Sequence, residues 1–251
     1  RTKIGDYVIT ESGFGADMGF EKFVDIKCRT SGLIPDAVVV VATVRALKMH
    51  GGGPKVSPGK PLAKAYVEAD LELVKKGLPN LLAHLSIVHK MGVPAAVAIN
   101  AFPTDTEAEW AAIKEAAVKA GAVDAVVTKN WAHGGDGAAD LAKAVVKAAE
   151  IKSQVKPFYS LDLSIKEKIE KIACGLYGAE KVTYTSEAEK AIETFAELGY
   201  NDLPICMAKT QYSLTADPTI KGAPKGFTFP IADVRLAGGA EIGRASCRER
   251  V

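Results

Sequence analysis

Three short apolar runs, residues 37–42, 95–99 and 125–128, are separated by long stretches with apolar residues every three or four positions. No other feature constrains the chain as tightly. Runs rich in small and β-branched residues, alternating with helical periodicity, predict an α/β fold with a mostly parallel sheet flanked by helices. The runs are apolar throughout, the pattern of parallel strands covered on both faces. Residues 7–10 and 205–208 read as further strands. Stretches 68–76, 79–91, 105–120 and 137–150 read as the crossover helices, and 20–28 as a helical stretch after the first strand.

The chain has 251 residues, 48% hydrophobic and 25% charged, which fits one large domain or two and permits a buried core. Lys+Arg of 32 against Asp+Glu of 30 leave a net charge of +2, too small for the broad basic field that a nucleic-acid backbone requires. The 37–42 run falls far short of the roughly 18–20 apolar residues of a membrane span. Residues 1–5 lack a signal-peptide stretch. Cys28, Cys174, Cys206 and Cys247 stand far apart without a CxxC pair, suggesting neither a disulfide framework nor a zinc knuckle. The expectation is a cytoplasmic protein with no nucleic-acid or membrane partner and no metal-ligand cluster of its own.

Strand–helix alternation weakens after Glu150, and the 153–157 link marks the predicted division into an α/β core segment (1–152) and a smaller α/β part (153–240). Residues 241–251 are dense in Arg and read like the translation of a sequencing-library adapter, so they are expected to lie outside the fold. Two helix starts carry polar caps. One is Thr104-Asp105 ahead of Glu107, with Gly121 as the stop; the other is the Ser186/Glu189 capping-box spacing, with Gly199 closing the helix.

Polar residues that follow parallel strands emerge at the sheet's carboxyl edge, where open α/β sheets bind ligands. Arg45, Lys48 and His50, then Gly51 and Gly52, follow the 37–42 run. Arg grips an acyl phosphate bidentately, Lys adds a point charge, and glycine lets backbone N–H groups approach, so this is a candidate catalytic centre for an anion. A solvated basic turn explains the same residues, and His50 alone fits a structural hydrogen-bonder. Asn100, Phe102, Pro103 and Asp105 follow the next strand, and Trp131 the one after, 29 residues beyond Phe102. Two rings at adjacent strand exits suit the sandwiching of a planar heterocycle such as adenine or pterin, worth about 1 kcal/mol beyond area burial. Core packing is the alternative.

Two glycine-rich stretches imitate nucleotide loops. Gly13, Gly15 and Gly19 are spaced one residue too long for GxGxxG, with no acidic ribose ligand about 20 residues on. Together with Glu11 and Asp17 they form either a candidate substrate loop, engaging a cation or polar group, or a capped tight turn. Stretch 53–61 fails as a Walker A loop: five residues separate its glycines, and Pro61 stands where a magnesium-binding hydroxyl belongs.

Taken in order, segments 11–17, 41–52, 100–106, 131–135 and 203–210 resemble formate–tetrahydrofolate ligase, a resemblance running over nearly all of residues 1–240. It implies an ATP-dependent carbon–nitrogen ligation in which formate becomes formyl phosphate and the tetrahydrofolate N10 amine expels phosphate. In its terms Phe102, Pro103 and Trp131, with Asn100 and Asp105 beside them, match the folate and nucleotide site. Arg45, Lys48 and the turn at Gly51 and Gly52 are assigned to the anionic centre, and Glu11 and Asp17 to the substrate loop. The resemblance further implies an incomplete P-loop NTPase-like core, magnesium with ATP, an activating monovalent cation and a homotetramer. The family's GxxxxGK[ST] loop has no counterpart here, so the chain is expected to be a fragment, inactive alone. Two rivals are a nicotinamide-dependent dehydrogenase using the Gly13 loop and a non-catalytic heterocycle-binding module.

Overall fold

The computed structural model describes residues 5–57, 59–238 and 241–245. The chain forms two compact units: Arg1–Ile34 with Lys156–Thr219 and Pro224–Val251, and Pro35–Val155 with Ile220–Ala223. Division after residue 152 had kept the N-terminal segment with the strand–helix repeat, whereas residues 1–34 cluster with the C-terminal part. Their side chains explain it. Phe20, Val24 and Cys28 are buried, the Phe158 N–H donates to Asp25 Oδ1 at 2.7 Å, and Asp17 pairs with Lys209.

In this first unit, residues 7–10 form no strand. Tyr7, Val8 and Ile9 are exposed, since β-propensity makes a ladder only where a sheet edge and a packing surface are on offer. The 20–28 stretch is helical but wide-wound, with π-type turns over Gly15–Phe20 and Phe23–Cys28 running into α1 (Arg29–Ser31).

The second unit carries β1 (Val38–Ala42), α2 (Val44–His50), α3 (Lys64–Val67), α4 (Leu71–Lys90), β2 (Ala95–Asn100), α5 (Glu107–Lys119), β3 (Asp124–Thr128), α6 (Asn130–His133) and α7 (Ala139–Ala149). Its sheet has the order β1-β2-β3, parallel throughout. Burial on both faces holds only for the central strand: Ala95 to Ile99 of β2 are buried, while β1, at the edge, exposes Val39 and Val41.

Stretches 68–76 and 79–91 belong to one helix. α4 runs through Pro79, which forfeits one backbone hydrogen bond and costs about 3 kcal/mol in a helix interior. Burial of Val74, Leu81, Leu85, Ile87 and Val88 along α4 outweighs that cost. At α5 the cap is Thr106, not Thr104 or Asp105; Thr106 and Glu109 form a reciprocal capping box, and Gly121 follows at φ +96°.

The first unit resumes with α8 (Ile165–Ile172), β4 (Ala179–Tyr184), α9 (Ser186–Glu197), β5 (Ile205–Ala208), β6 (Phe227–Ile231), β7 (Asp233–Ala237) and β8 (Glu241–Ala245). β4 pairs with β6 in parallel; β8 lies between β5, parallel, and β7, antiparallel. Residues 241–245, set aside from the fold by their composition, thus supply the middle strand of a sheet; residues 246–251 lie outside the described residues. α9 is capped by Thr185, one residue before the expected Ser186, because the Thr185 hydroxyl reaches the Ala188 N–H. Ile165, Ile169 and Ile172 bury one stripe of α8. Among the described residues no helix is long and apolar enough to cross a membrane.

Candidate functional site

Sheet register decides what gathers at the carboxyl edge of the second unit. Ala42 lies opposite Ile99, and Asn100 opposite Thr128, so the segments that follow leave three neighbouring strands at one level. Asn100, Ala101, Phe102, Pro103 and Trp131 there line a cavity of about 310 Å³. Trp131, 66% exposed, is tied down by its Nε1–H, which donates to the Ala101 carbonyl at 3.3 Å. Phe102 is fixed from behind: Asp105 Oδ2 accepts from the Phe102 N–H at 2.9 Å and from Trp110 Nε1 at 3.4 Å. Asp105 therefore shapes the turn that presents the ring.

Of the three cationic candidates, only Arg45 joins this group. Its guanidinium carbon sits 3.8 Å from the Phe102 ring centroid, and Nη2 donates to Thr104 Oγ1 at 3.3 Å. It backs an aromatic wall and is not among the lining residues. Lys48 points inward, 1% exposed, with Nζ 2.8 Å from Glu109 Oε1 and 2.7 Å from the Glu68 carbonyl. His50 Nδ1 accepts from the Gly222 N–H at 3.2 Å. The amides of Gly51 and Gly52 are used within the end of α2, donating to Leu47 O and Met49 O. A helix C-terminus presents carbonyls, not donors, and disfavours anions. Glycine is needed at 51 for another reason: an added Cβ would lie 2.1 Å from the Leu73 carbonyl oxygen of α4.

Glu109 was not anticipated, although the Thr106/Glu109 spacing of a capping box was there to be found. It is fully buried. Oε1 accepts from Lys48 Nζ and the Asp70 N–H (3.0 Å), and Oε2 from the Thr106 N–H and hydroxyl (2.9 Å each). Burial alone would push its carboxyl up; these hydrogen bonds reverse that and hold it below the ordinary value.

The expected substrate loop belongs to the first unit. Glu11 is exposed, Gly15 takes φ +72°, and a Cβ on Gly19 would strike the Gly13 carbonyl at 1.7 Å. The loop closes on itself. Asp17 is buried, its Oδ2 2.5 Å from Lys209 Nζ. Ser12, Gly13, Lys22, Phe23, Lys27 and Cys206 are among the residues lining a separate cavity of about 290 Å³ in this unit. On the same turns Glu21 and Asp25 form a buried acid pair. Glu21 is fully buried, and among the described residues no donor serves either of its oxygens or Asp25 Oδ2. Burial first, then the Asp25 charge, raises the Glu21 carboxyl well above its ordinary range. Asp25 is pushed up to about 6 by burial, against the opposing pull of the Phe158 N–H and Arg29. Two neighbouring buried carboxyls disfavour joint ionisation, so the pair keeps a proton to higher pH than a lone carboxyl. Among the described residues no group of three or more His, Cys, Asp or Glu could hold a metal ion.

A sequence model described as formate–tetrahydrofolate ligase matches residues 1–249. The chain belongs to the formate–tetrahydrofolate ligase family. Similar proteins include a formate–tetrahydrofolate ligase of Spinacia oleracea, 55% identical over 237 residues, which are 94% of this chain and 37% of that protein. A formate–tetrahydrofolate ligase of Roseiflexus castenholzii is 52% identical over 94% of this chain and 42% of its own length. The cytoplasmic C-1-tetrahydrofolate synthase of Schizosaccharomyces pombe is 52% identical over 95% of this chain and 26% of its own length. The chain thus spans between a quarter and somewhat over two fifths of these relatives.

Proposed function

We propose that this chain supplies the folate-ring clamp of an ATP-dependent formate–tetrahydrofolate ligation. In that reaction a formate oxygen attacks the γ-phosphorus of ATP and ADP leaves. The N10 amine of tetrahydrofolate then attacks the formyl carbon, the bond from that carbon to the phosphate oxygen breaks, inorganic phosphate departs, and the amine gives up its proton. The observation carrying this reading is the cavity between Phe102-Pro103 and Trp131 at the sheet's carboxyl edge. Stacking against two rings holds the amine where it attacks, turning a bimolecular encounter into a positioned step. Family membership supports the chemistry.

Magnesium with ATP, an activating monovalent cation and a homotetrameric assembly belong to the same proposal. So does a cytoplasmic location, which relatives named as cytoplasmic forms support and those named as mitochondrial forms do not. The experiment is to measure folic acid and ATP affinity, with formyltetrahydrofolate production, in the full-length protein and its Trp131→Ala variant. Folic acid affinity should fall more than ATP affinity. Folic acid binding unchanged in both Trp131→Ala and Phe102→Ala removes the clamp; NADH binding without a folate response favours the dehydrogenase, and folate binding without turnover the non-catalytic module.

A further inference from the structure

Two elements bring Arg45 to Phe102, and both are anchored on one carboxylate. α2 carries Arg45 and, one turn later, Lys48, whose Nζ lies 2.8 Å from Glu109 Oε1. The loop presenting Phe102 ends at Thr106, whose N–H and hydroxyl both donate to Glu109 Oε2. The Asp70 N–H, at the start of α4, donates to Oε1. A carboxylate has about four lone-pair sites, and these four donors fill them.

A buried ion pair is a poor source of stability, because desolvation consumes most of its Coulombic gain and apolar replacements are often neutral or better. What it offers is geometry: four donors converging on one group admit a single relative placement of α2, the α4 start and the α5 start. Lys48, three residues from Arg45, sets the rotation of a seven-residue helix too short to hold itself.

We propose that Glu109 and Lys48 are positioning residues of the folate-ring clamp, holding Arg45 on Phe102 and thereby fixing the wall against which the heterocycle stacks. This rests on the clamp reading given above. Neither residue touches the ligand; both act through Arg45 and Phe102.

The test is a double-mutant cycle in the full-length protein, with folic acid and ATP as separate probes. Glu109→Gln should weaken folic acid about twofold to tenfold, the worth of one aromatic stacking contact, and leave ATP affinity unchanged. Arg45→Lys should weaken folic acid alone, and adding it to Glu109→Gln should weaken folic acid little further, because both changes release the same ring. Additive losses, or equal losses for folic acid and ATP, overturn the positioning role. Glu109→Gln leaves the Lys48 charge uncompensated and endangers folding, so the neutral pair Lys48→Met/Glu109→Gln is measured alongside. That variant should fold and still bind folic acid weakly; wild-type folic acid affinity in it overturns the proposal. Phe102→Ala separates the two ideas. If it binds folic acid like wild type, Phe102 leaves the clamp and the positioning role falls, and the clamp itself falls if Trp131→Ala is silent too; if Phe102→Ala binds weakly while the Glu109 variants do not, only the positioning role falls.

Discussion

The guanidinium of Arg45 lies over the Phe102 ring, with Cζ 3.8 Å from the centroid. That contact assigns Arg45 to the ring instead of to a phosphate. Arg45→Ala should therefore weaken folic acid by about 0.5–2 kcal/mol, roughly twofold to thirtyfold, while ATP affinity holds. Calorimetric titration with each ligand checks it, and a loss confined to ATP would return Arg45 to the anionic role.

Gly77 of α4 faces the end of α2 so closely that an added Cβ would sit 1.9 Å from the Leu47 carbonyl oxygen. In an isolated helix Gly→Ala gains about 1 kcal/mol; here backbone would have to move, and overpacking of this kind costs about 1–3 kcal/mol or more. The clash wins. Gly77→Ala should lower the urea midpoint, and a raised midpoint would mean that α2 and α4 are not in contact there.

Acid–base behaviour of the first unit should trace to Glu21 and Asp25. Both carboxyls are raised in the folded state, so the stability they contribute is complete below the unfolded carboxylate range, about pH 4, and is lost as pH climbs through about 6 for Asp25 and through the raised value of Glu21. The wild-type melting temperature should decline as pH rises from about 4 through about 6 and on through the raised value of Glu21, with Glu21→Gln removing most of the slope. Parallel profiles for the two proteins would show that Glu21 does not set the slope.

Asp17 and Lys209 form a buried pair, with Lys209 Nζ also donating to the carbonyls of Thr210 and Ser213. Lys209→Met removes the cation that faces the buried Asp17 carboxylate and should cost about 3–5 kcal/mol. Asp17→Asn/Lys209→Met should recover most of it. Chemical denaturation of both variants decides; equal losses would point to packing of the Lys209 stem as the cause.

The three strands of the second unit were legible because β-branched runs between helical periods leave little else to form, and the carboxyl-edge rule then placed Phe102 and Trp131 together. The roles of the basic residues were not. Arg45, Lys48 and His50 occupy one helix, and periodicity alone does not tell a lysine reaching solvent from one reaching a carboxylate 61 positions on. Caps were misplaced by one or two residues because Thr104, Asp105 and Thr106 all have capping side chains, and the local turn gives Asp105 to the Phe102 amide three residues back. Residues 7–10 had the composition of a strand without the partner that makes one. The N-terminal segment's allegiance to the C-terminal part rests on contacts such as Asp25 to Phe158, which leave no trace in local sequence.

Trp131 hangs from one hydrogen bond and is two-thirds in solvent, whereas Phe102 is braced by Arg45 and by Asp105. In the proposed clamp the Phe102 side is the braced one and Trp131 the exposed one. On that proposal, ordering Trp131 against a bound ring carries most of the side-chain cost, so the residence time of the ring is tuned through the footing of Trp131 and not through the Phe102 side.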